Sequence, residues 1–202
     1  MPVRVLGRRN VGWGNFAGLL AFATETSLVF LLTLYLQEVL GYSPLAAGLS
    51  FAVLGVGTVL GGVVGPRLIA RVGTRRTLVT GFTTQAAATA VLVLLGPAPG
   101  WIALLLAATF AGGVANLVAI VGFLVTATSG LPDTEQGLAT GLTTMSQQVG
   151  ITLGTPVMSA IVTASGAKVL HGIITAIGVN AGLCLLTVVL LRVFLPDATK
   201  RH

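Results

Sequence analysis

The chain has 202 residues, 54% of them hydrophobic and 8% charged, and its mean hydropathy of +0.98 excludes a water-soluble domain and leaves an integral membrane protein. A net charge of +6 would suggest nucleic acid as the partner of a soluble protein; in a membrane chain the position of each charge matters more, and nucleic acid drops out. A span needs about 20 apolar residues to cross roughly 30 Å of hydrocarbon, so the length fits a single domain over residues 1–202 with short connections.

In chain order, six apolar segments stand at about 16–36, 45–65, 78–95, 101–128, 138–164 and 172–195. Turn and breaker residues separate them: Gly41 to Pro44, Gly65-Pro66, Gly96 to Gly100, Ser129 to Pro132, and Ser165-Gly166. Only helices and closed barrels satisfy their backbone groups in hydrocarbon, and these runs are continuous rather than alternating. The expected class is an all-α integral membrane bundle of six transmembrane helices.

Ten of the 11 basic residues fall on one side of this topology: Arg4, Arg8, Arg9, Arg67, Arg71, Arg75, Arg76, Arg192, Lys200 and Arg201 against Lys168. The positive-inside rule then puts both termini in the cytoplasm and the chain in the cytoplasmic (inner or cell) membrane. A signal peptide over the basic start is the rival reading, opposed by apolar character that continues past Glu25.

Span 1 gathers Asn15, Gly18, Phe22, Glu25, Thr26, Thr33 and Gln37 within an arc of roughly 120°. Glu25 is the ionisable group well inside a span. A charge there costs about 2.5–3.5 kcal/mol on insertion scales, so such a residue faces a cavity, pairs, or carries protons. Its alternative role is a packing hydrogen bond across helices, for which Asn116 in span 4 is the candidate partner. Span 2 places Gly57, Gly61 and Gly65 on one face, span 5 carries Gly137, Gly141, Gly150 and Gly154, and span 6 carries Gly178 and Gly182. Such small-residue faces let backbones approach closely, either within this chain or against a second bundle. Span 5 also holds Gln147 and Gln148, for which helix glue and function both stand open.

Three stretches resemble a family. The segment Gly65 to Leu78 resembles the loop signature of the major facilitator superfamily, with Arg71, Gly73, Arg75 and Arg76 on matching positions. Ala70 stands where the family has Asp, so the charge relay attributed to that Asp cannot operate in this copy. Gly141, Gly150, Gly154 and Pro156 are similar to the family's antiporter motif, with Thr155 interposed before the proline. The third stretch, Leu34 to Gly48, resembles the end of the first helix in the second half of fourteen-helix drug:proton antiporters. The resemblance covers the whole chain but only one half of such a transporter, the carboxy-terminal one.

It implies a substrate site between two halves near the midplane. The first and fourth spans would line the cavity, the second and fifth would touch the other half, and the third and sixth would face lipid. Span 3, with Thr80, Thr83, Thr84, Gln85 and Thr89, is more polar than that role requires. The implied proton-coupling or cavity residues are Glu25, Thr26, Asn116, Gln147 and Gln148. The partners are lipid, protons, a small-molecule substrate and a second six-helix half or a second copy.

Enzyme readings fail on inventory. His171 and His202 stand without metal-ligand spacing, no phosphate-cradling loop occurs, and no cofactor or metal is expected. Export of small amphipathic or cationic compounds by proton exchange is the leading reading. A truncated or accessory membrane protein without transport is the alternative, and a start methionine just before the basic stretch suits either.

Overall fold

In the computed structural model, which describes residues 9–129, 131–166 and 168–195, every long apolar stretch is helical. Among the described residues six long helices follow one another: α1 (Arg9–Leu34), α2 (Ala52–Val72), α3 (Thr74–Val91), α4 (Ile102–Thr128), α5 (Asp133–Ala164) and α6 (Val169–Phe194). Of the topology residues, Arg4, Arg8, Lys200 and Arg201 lie outside the described residues.

The connections carry the expected local chemistry. α1 ends in a π-helical turn, Tyr35–Val39, and the buried Tyr35 hydroxyl donates to the Gly96 carbonyl at 2.6 Å, tying that turn to the α3–α4 connection. Ser43 caps a short helix, Pro44–Ser50, by accepting from the Ala46 N–H at 3.2 Å, with Pro44 in the first turn where its missing N–H costs nothing. The helix break expected at Gly65-Pro66 is displaced. Pro66 sits inside α2, which ends at Gly73 with φ 83°, a conformation glycine adopts freely. Packing of Gly65 against the Val121 side chain of α4 holds this stretch helical through the proline.

Helix register can be read from the glycines. Gly57, Gly61 and Gly65 of α2 meet Phe110, Val114 and Val121 of α4, so these two helices run parallel. Gly150 and Gly154 of α5 meet Leu19 and Ala23 of α1, again in parallel. Gly81 and Gly122 join α3 and α4 in antiparallel fashion, and Gly172 seats α6 on Val162 of α5. Of the two readings of the glycine faces, packing within the chain accounts for Gly57, Gly61, Gly65, Gly150 and Gly154, whereas Gly137 has open space around it. Gly141, Gly178 and Gly182 have open space around them and pack against nothing.

Five of the six helices are long and apolar enough to cross a membrane, and α5, with 32 residues, is long enough but holds no stretch as apolar as theirs. Its Thr140, Thr144, Gln148 and Thr152 form an exposed stripe at a spacing of four residues. Two apolar clusters fill the ends of the bundle. One gathers Leu31, Tyr35, Leu92, Leu105 and Ile177. The other gathers Ala17, Phe82, Phe123 and Leu191.

Candidate functional site

Between the two apolar clusters lies a layer of buried polar side chains contributed by α1, α3, α4 and α6: Thr24, Ser27, Gln85, Thr89, Asn116, Asn180 and Thr187. The hydroxyls of Thr24 and Ser27 bond back to the Leu20 and Ala23 carbonyls at 2.7 and 2.6 Å, as hydroxyls inside helices commonly do. Amides reach across to them. The Asn180 Nδ2 of α6 donates to the Thr24 carbonyl and to Ser27 Oγ, both at 2.9 Å. The Gln85 Nε2 of α3 donates to Thr24 Oγ1 at 3.3 Å, and the Asn116 Nδ2 of α4 donates to the Ala21 carbonyl at 3.3 Å. Each amide thus uses its N–H side on α1.

Their oxygen sides are left over. Among the described residues, the buried acceptors Gln85 Oε1, Asn116 Oδ1 and Asn180 Oδ1 have no protein donor, and the Thr89 hydroxyl has no hydrogen-bond partner. Leaving a buried acceptor unpaired costs about 1–3 kcal/mol. Glu25 lines one small pocket of about 20 Å³, room for about one water, together with Gln85, Thr109, Asn116 and the apolar Leu28 and Leu54. A carboxyl and two buried amides with spare acceptor capacity therefore share one mid-bundle cavity. A protonated carboxyl, a water or a cation could each supply the donor they lack.

The expected site residues divide accordingly. Glu25 and Asn116 are brought together in this pocket. The packing bond foreseen between them is not formed, since Asn116 donates to the Ala21 carbonyl instead. Thr26 is half-buried and spends its hydroxyl on the Phe22 carbonyl at 2.8 Å. Gln147 is half-buried and Gln148 exposed on α5, away from the pocket. The arc expected on α1 also splits: Asn15 accepts from Ser146 Oγ of α5 at 2.9 Å, while Glu25 faces α3 and α4. Gln85 stands in the sequence only as part of the unexpected polarity of span 3, and Asn180 is missed, although each is an isolated amide in a stretch of Thr, Ala and aliphatic residues, and that isolation is the signal.

The two motif segments are likewise placed. Arg71 and Arg76 are exposed at the ends of α2 and α3, and Arg75 Nη2 donates to the Arg192 carbonyl of α6 at 2.6 Å, so the loop fastens α3 to the end of α6. In the glycine motif, Gly150 and Gly154 carry the α1–α5 contact, where a Cβ would strike the Leu19 and Ala23 carbonyls. Gly141 and Pro156 are exposed.

A six-helix membrane bundle with a polar layer and a carboxyl at its middle is the half-unit of a large class of transport proteins. The sequence profile of the Major Facilitator Superfamily matches residues 14–202, and the chain belongs to that family. Its relatives include the cephamycin export protein CmcT of Amycolatopsis lactamdurans, 37% identical over 175 residues, a match that covers 83% of this chain and 35% of that protein. The puromycin resistance protein of Streptomyces alboniger is 31% identical over 191 residues, covering 86% of this chain and 38% of the relative. A crystal structure of the nucleoside transporter NupG superposes with a TM-score of 0.76 at 16% identity, over 94% of this chain and 49% of that one, which establishes the fold as one half of such a transporter. The chain spans little more than a third of the length of these two curated relatives.

Proposed function

We propose that this chain is the carboxy-terminal half of a secondary transporter that exports small amphipathic or cationic compounds across the cytoplasmic membrane in exchange for protons. It would work with a second six-helix half or a second copy of itself, with both termini in the cytoplasm. The observation that carries the reading is Glu25 beside the spare acceptors of Gln85 and Asn116 in the mid-bundle pocket. Protonated, the carboxyl donates into that acceptor set and is neutral in the apolar interior; deprotonated, it is a counter-ion for a cationic substrate. One group then serves proton and substrate in turn, and exchange follows from their competition.

Other features support the same reading. The relatives are named for cephamycin export and for puromycin and lincomycin resistance, which speaks for small-molecule export. The exposed stripe Thr140, Thr144, Gln148 and Thr152 suits a helix facing a hydrated cavity or a second half better than one facing lipid. Thr26, Gln147 and Gln148 would meet substrate only where such a second half closes the site. The second reading, an accessory or truncated protein without transport, draws on the limited share of each relative that the chain covers.

The test is uptake of an exported compound into inverted vesicles under a proton gradient, with the chain co-produced with an eight- or six-helix partner half. Glu25→Gln should abolish uptake while leaving membrane insertion intact, and Glu25→Asp should retain part of it. Full transport by Glu25→Gln would assign the carboxyl to packing. Absence of uptake by the unaltered pair would favour the accessory reading.

A further inference from the structure

A second cavity lies at the arginine-bearing end of the bundle, between the end of α2, the start of α3 and the end of α6. Leu68 and Val72 of α2 and Val79 of α3 form apolar walls, and Thr80, Arg75, Arg76 and Arg192 complete the lining around a volume of about 430 Å³. Two exposed arginines, Arg76 and Arg192, thus border one half-apolar hollow. Among the described residues no acidic side chain lines it.

The charges are also placed against the local field. Arg76 stands in the first turn of α3, where the aligned peptide dipoles already leave about half a positive charge. Cations at that end are disfavoured unless an anion is near. Arg75 Nη2 bonds to the Arg192 carbonyl at 2.6 Å, which holds the floor of the hollow together and leaves the exposed Arg76 and Arg192 side chains at its mouth. The wall continues into the exposed apolar surface of α6, with Leu185, Val189 and Val193. A ligand that satisfies this arrangement needs a phosphate-like anion and an apolar chain that leaves the pocket along the helix.

We infer that the cavity lined by Leu68, Val72, Val79, Arg76 and Arg192 binds the headgroup of an anionic phospholipid, with an acyl chain lying along α6. Basic pockets between membrane helices recognise anionic headgroups in this way, at roughly 1 kcal/mol per arginine, or on the order of fivefold in affinity for each. The site stands apart from the Glu25 pocket and does not depend on transport.

The experiment is native mass spectrometry of the full chain in detergent, titrated separately with phosphatidylglycerol, with phosphatidylcholine and with inorganic phosphate. One phosphatidylglycerol should be retained in preference to phosphatidylcholine. The double variant Arg76→Gln with Arg192→Gln should lower that retention by about 25-fold, the single Arg76→Gln by about fivefold, and Arg76→Lys with Arg192→Lys should keep most of it. Arg71→Gln, an exposed arginine outside the cavity, should leave binding unchanged. Equal retention of the two lipids overturns the proposal, as does a single Arg76→Gln variant that keeps full preference. Displacement of phosphatidylglycerol by equimolar phosphate would assign the site to a free anion and overturn the lipid reading.

Discussion

Asn180 and Asn116 carry the same side chain into the same polar layer and do different things there. Asn180 is fully buried and donates twice to α1 at 2.9 Å, to the Thr24 carbonyl and Ser27 Oγ. Asn116 makes one longer bond, at 3.3 Å, and lines the pocket together with Glu25. Interhelical hydrogen bonds in membranes contribute about 0.6–1.7 kcal/mol each, so Asn180→Leu should cost the bundle about 1–2 kcal/mol and Asn116→Leu no more than about 0.6. Thermal melting of the two variants in detergent checks the order, and equal losses would show that the second Asn180 bond contributes nothing. In transport the order should reverse, with Asn116→Leu the more damaging, because Asn116 shares the pocket with Glu25. Glue and function are thus separated by whether the amide also borders the Glu25 pocket, as Asn116 does and Asn180 does not. A sequence cannot display that distinction, since it names the amide and not what surrounds it.

Among the elements, the glycines sort into those that hold helices together and those that do not. A Cβ on Gly61 would lie 2.5 Å from the Val114 carbonyl oxygen, and one on Gly57 equally close to that of Phe110. Backbone atoms cannot rotate aside, so even Gly61→Ala must push α2 away from α4 along the whole contact. By contrast Gly55, Gly141 and Gly178 have nothing within 4 Å of the added carbon. There Ala removes the conformational entropy that glycine brings to a helix and should stabilise by about 0.5–1 kcal/mol. The expected outcome is loss of folded protein with Gly61→Ala and an unchanged or raised melting point with Gly141→Ala, measured by size-exclusion chromatography and thermal melting. A Gly61→Ala bundle as stable as the parent would mean that the α2–α4 approach is looser than its geometry. The helices themselves were legible in the sequence, because uninterrupted apolar runs bounded by Gly, Pro and Ser leave little else to form in hydrocarbon. Their faces were less so. The stripe Gly57, Gly61, Gly65 announced a close contact but not its partner, and Pro66 looked like an end because its cost is local while the packing that offsets it, against Val121, is not. Span 6, assigned to lipid by resemblance, buries Asn180 and Thr187 on the side turned to α1 and α3.

At the scale of the whole molecule, the orientation of the bundle turns on α5. It is the one long helix without a sufficiently apolar stretch among the described residues, yet its 32 residues measure about 48 Å at 1.5 Å per residue, more than the roughly 30 Å required. Its partner is α1, which is apolar enough to cross. The two run in parallel, with Asn15 against Ser146, Leu19 against Gly150 and Ala23 against Gly154, a constant offset along the contact. A helix locked in register to a membrane-crossing neighbour crosses with it, and the polar stripe of Thr140, Thr144, Gln148 and Thr152 then lies on the side away from α1. Most of its threonine hydroxyls are bonded to the helix itself: Thr140 to the Gln136 carbonyl at 3.0 Å, Thr144 to Thr140 at 3.1 Å, and Thr152 to Gln148 at 2.7 Å. What remains polar toward the outside is chiefly the Gln148 amide, a modest load for a helix of this length. The arginines supply the direction, because Arg67, Arg71, Arg75, Arg76 and Arg192 share one end of the bundle and Lys168 stands at the other. Reporter fusions at Asp133 and Arg75 should therefore report the cytoplasm, and fusions at Pro99 and Lys168 the opposite side. The pair that decides is Asp133 and Lys168, which bracket α5 alone. Fusions reporting the same side at both positions would mean that α5 lies outside the hydrocarbon, and the chain would then have five crossings, with α6 reversed and its end no longer beside the start of α3. That arrangement is incompatible with the bond from Arg75 to the Arg192 carbonyl. Opposite sides at Asp133 and Lys168, with the cytoplasm at Arg75, would fix six crossings and place both α1 and α6 with their arginine-bearing ends inside.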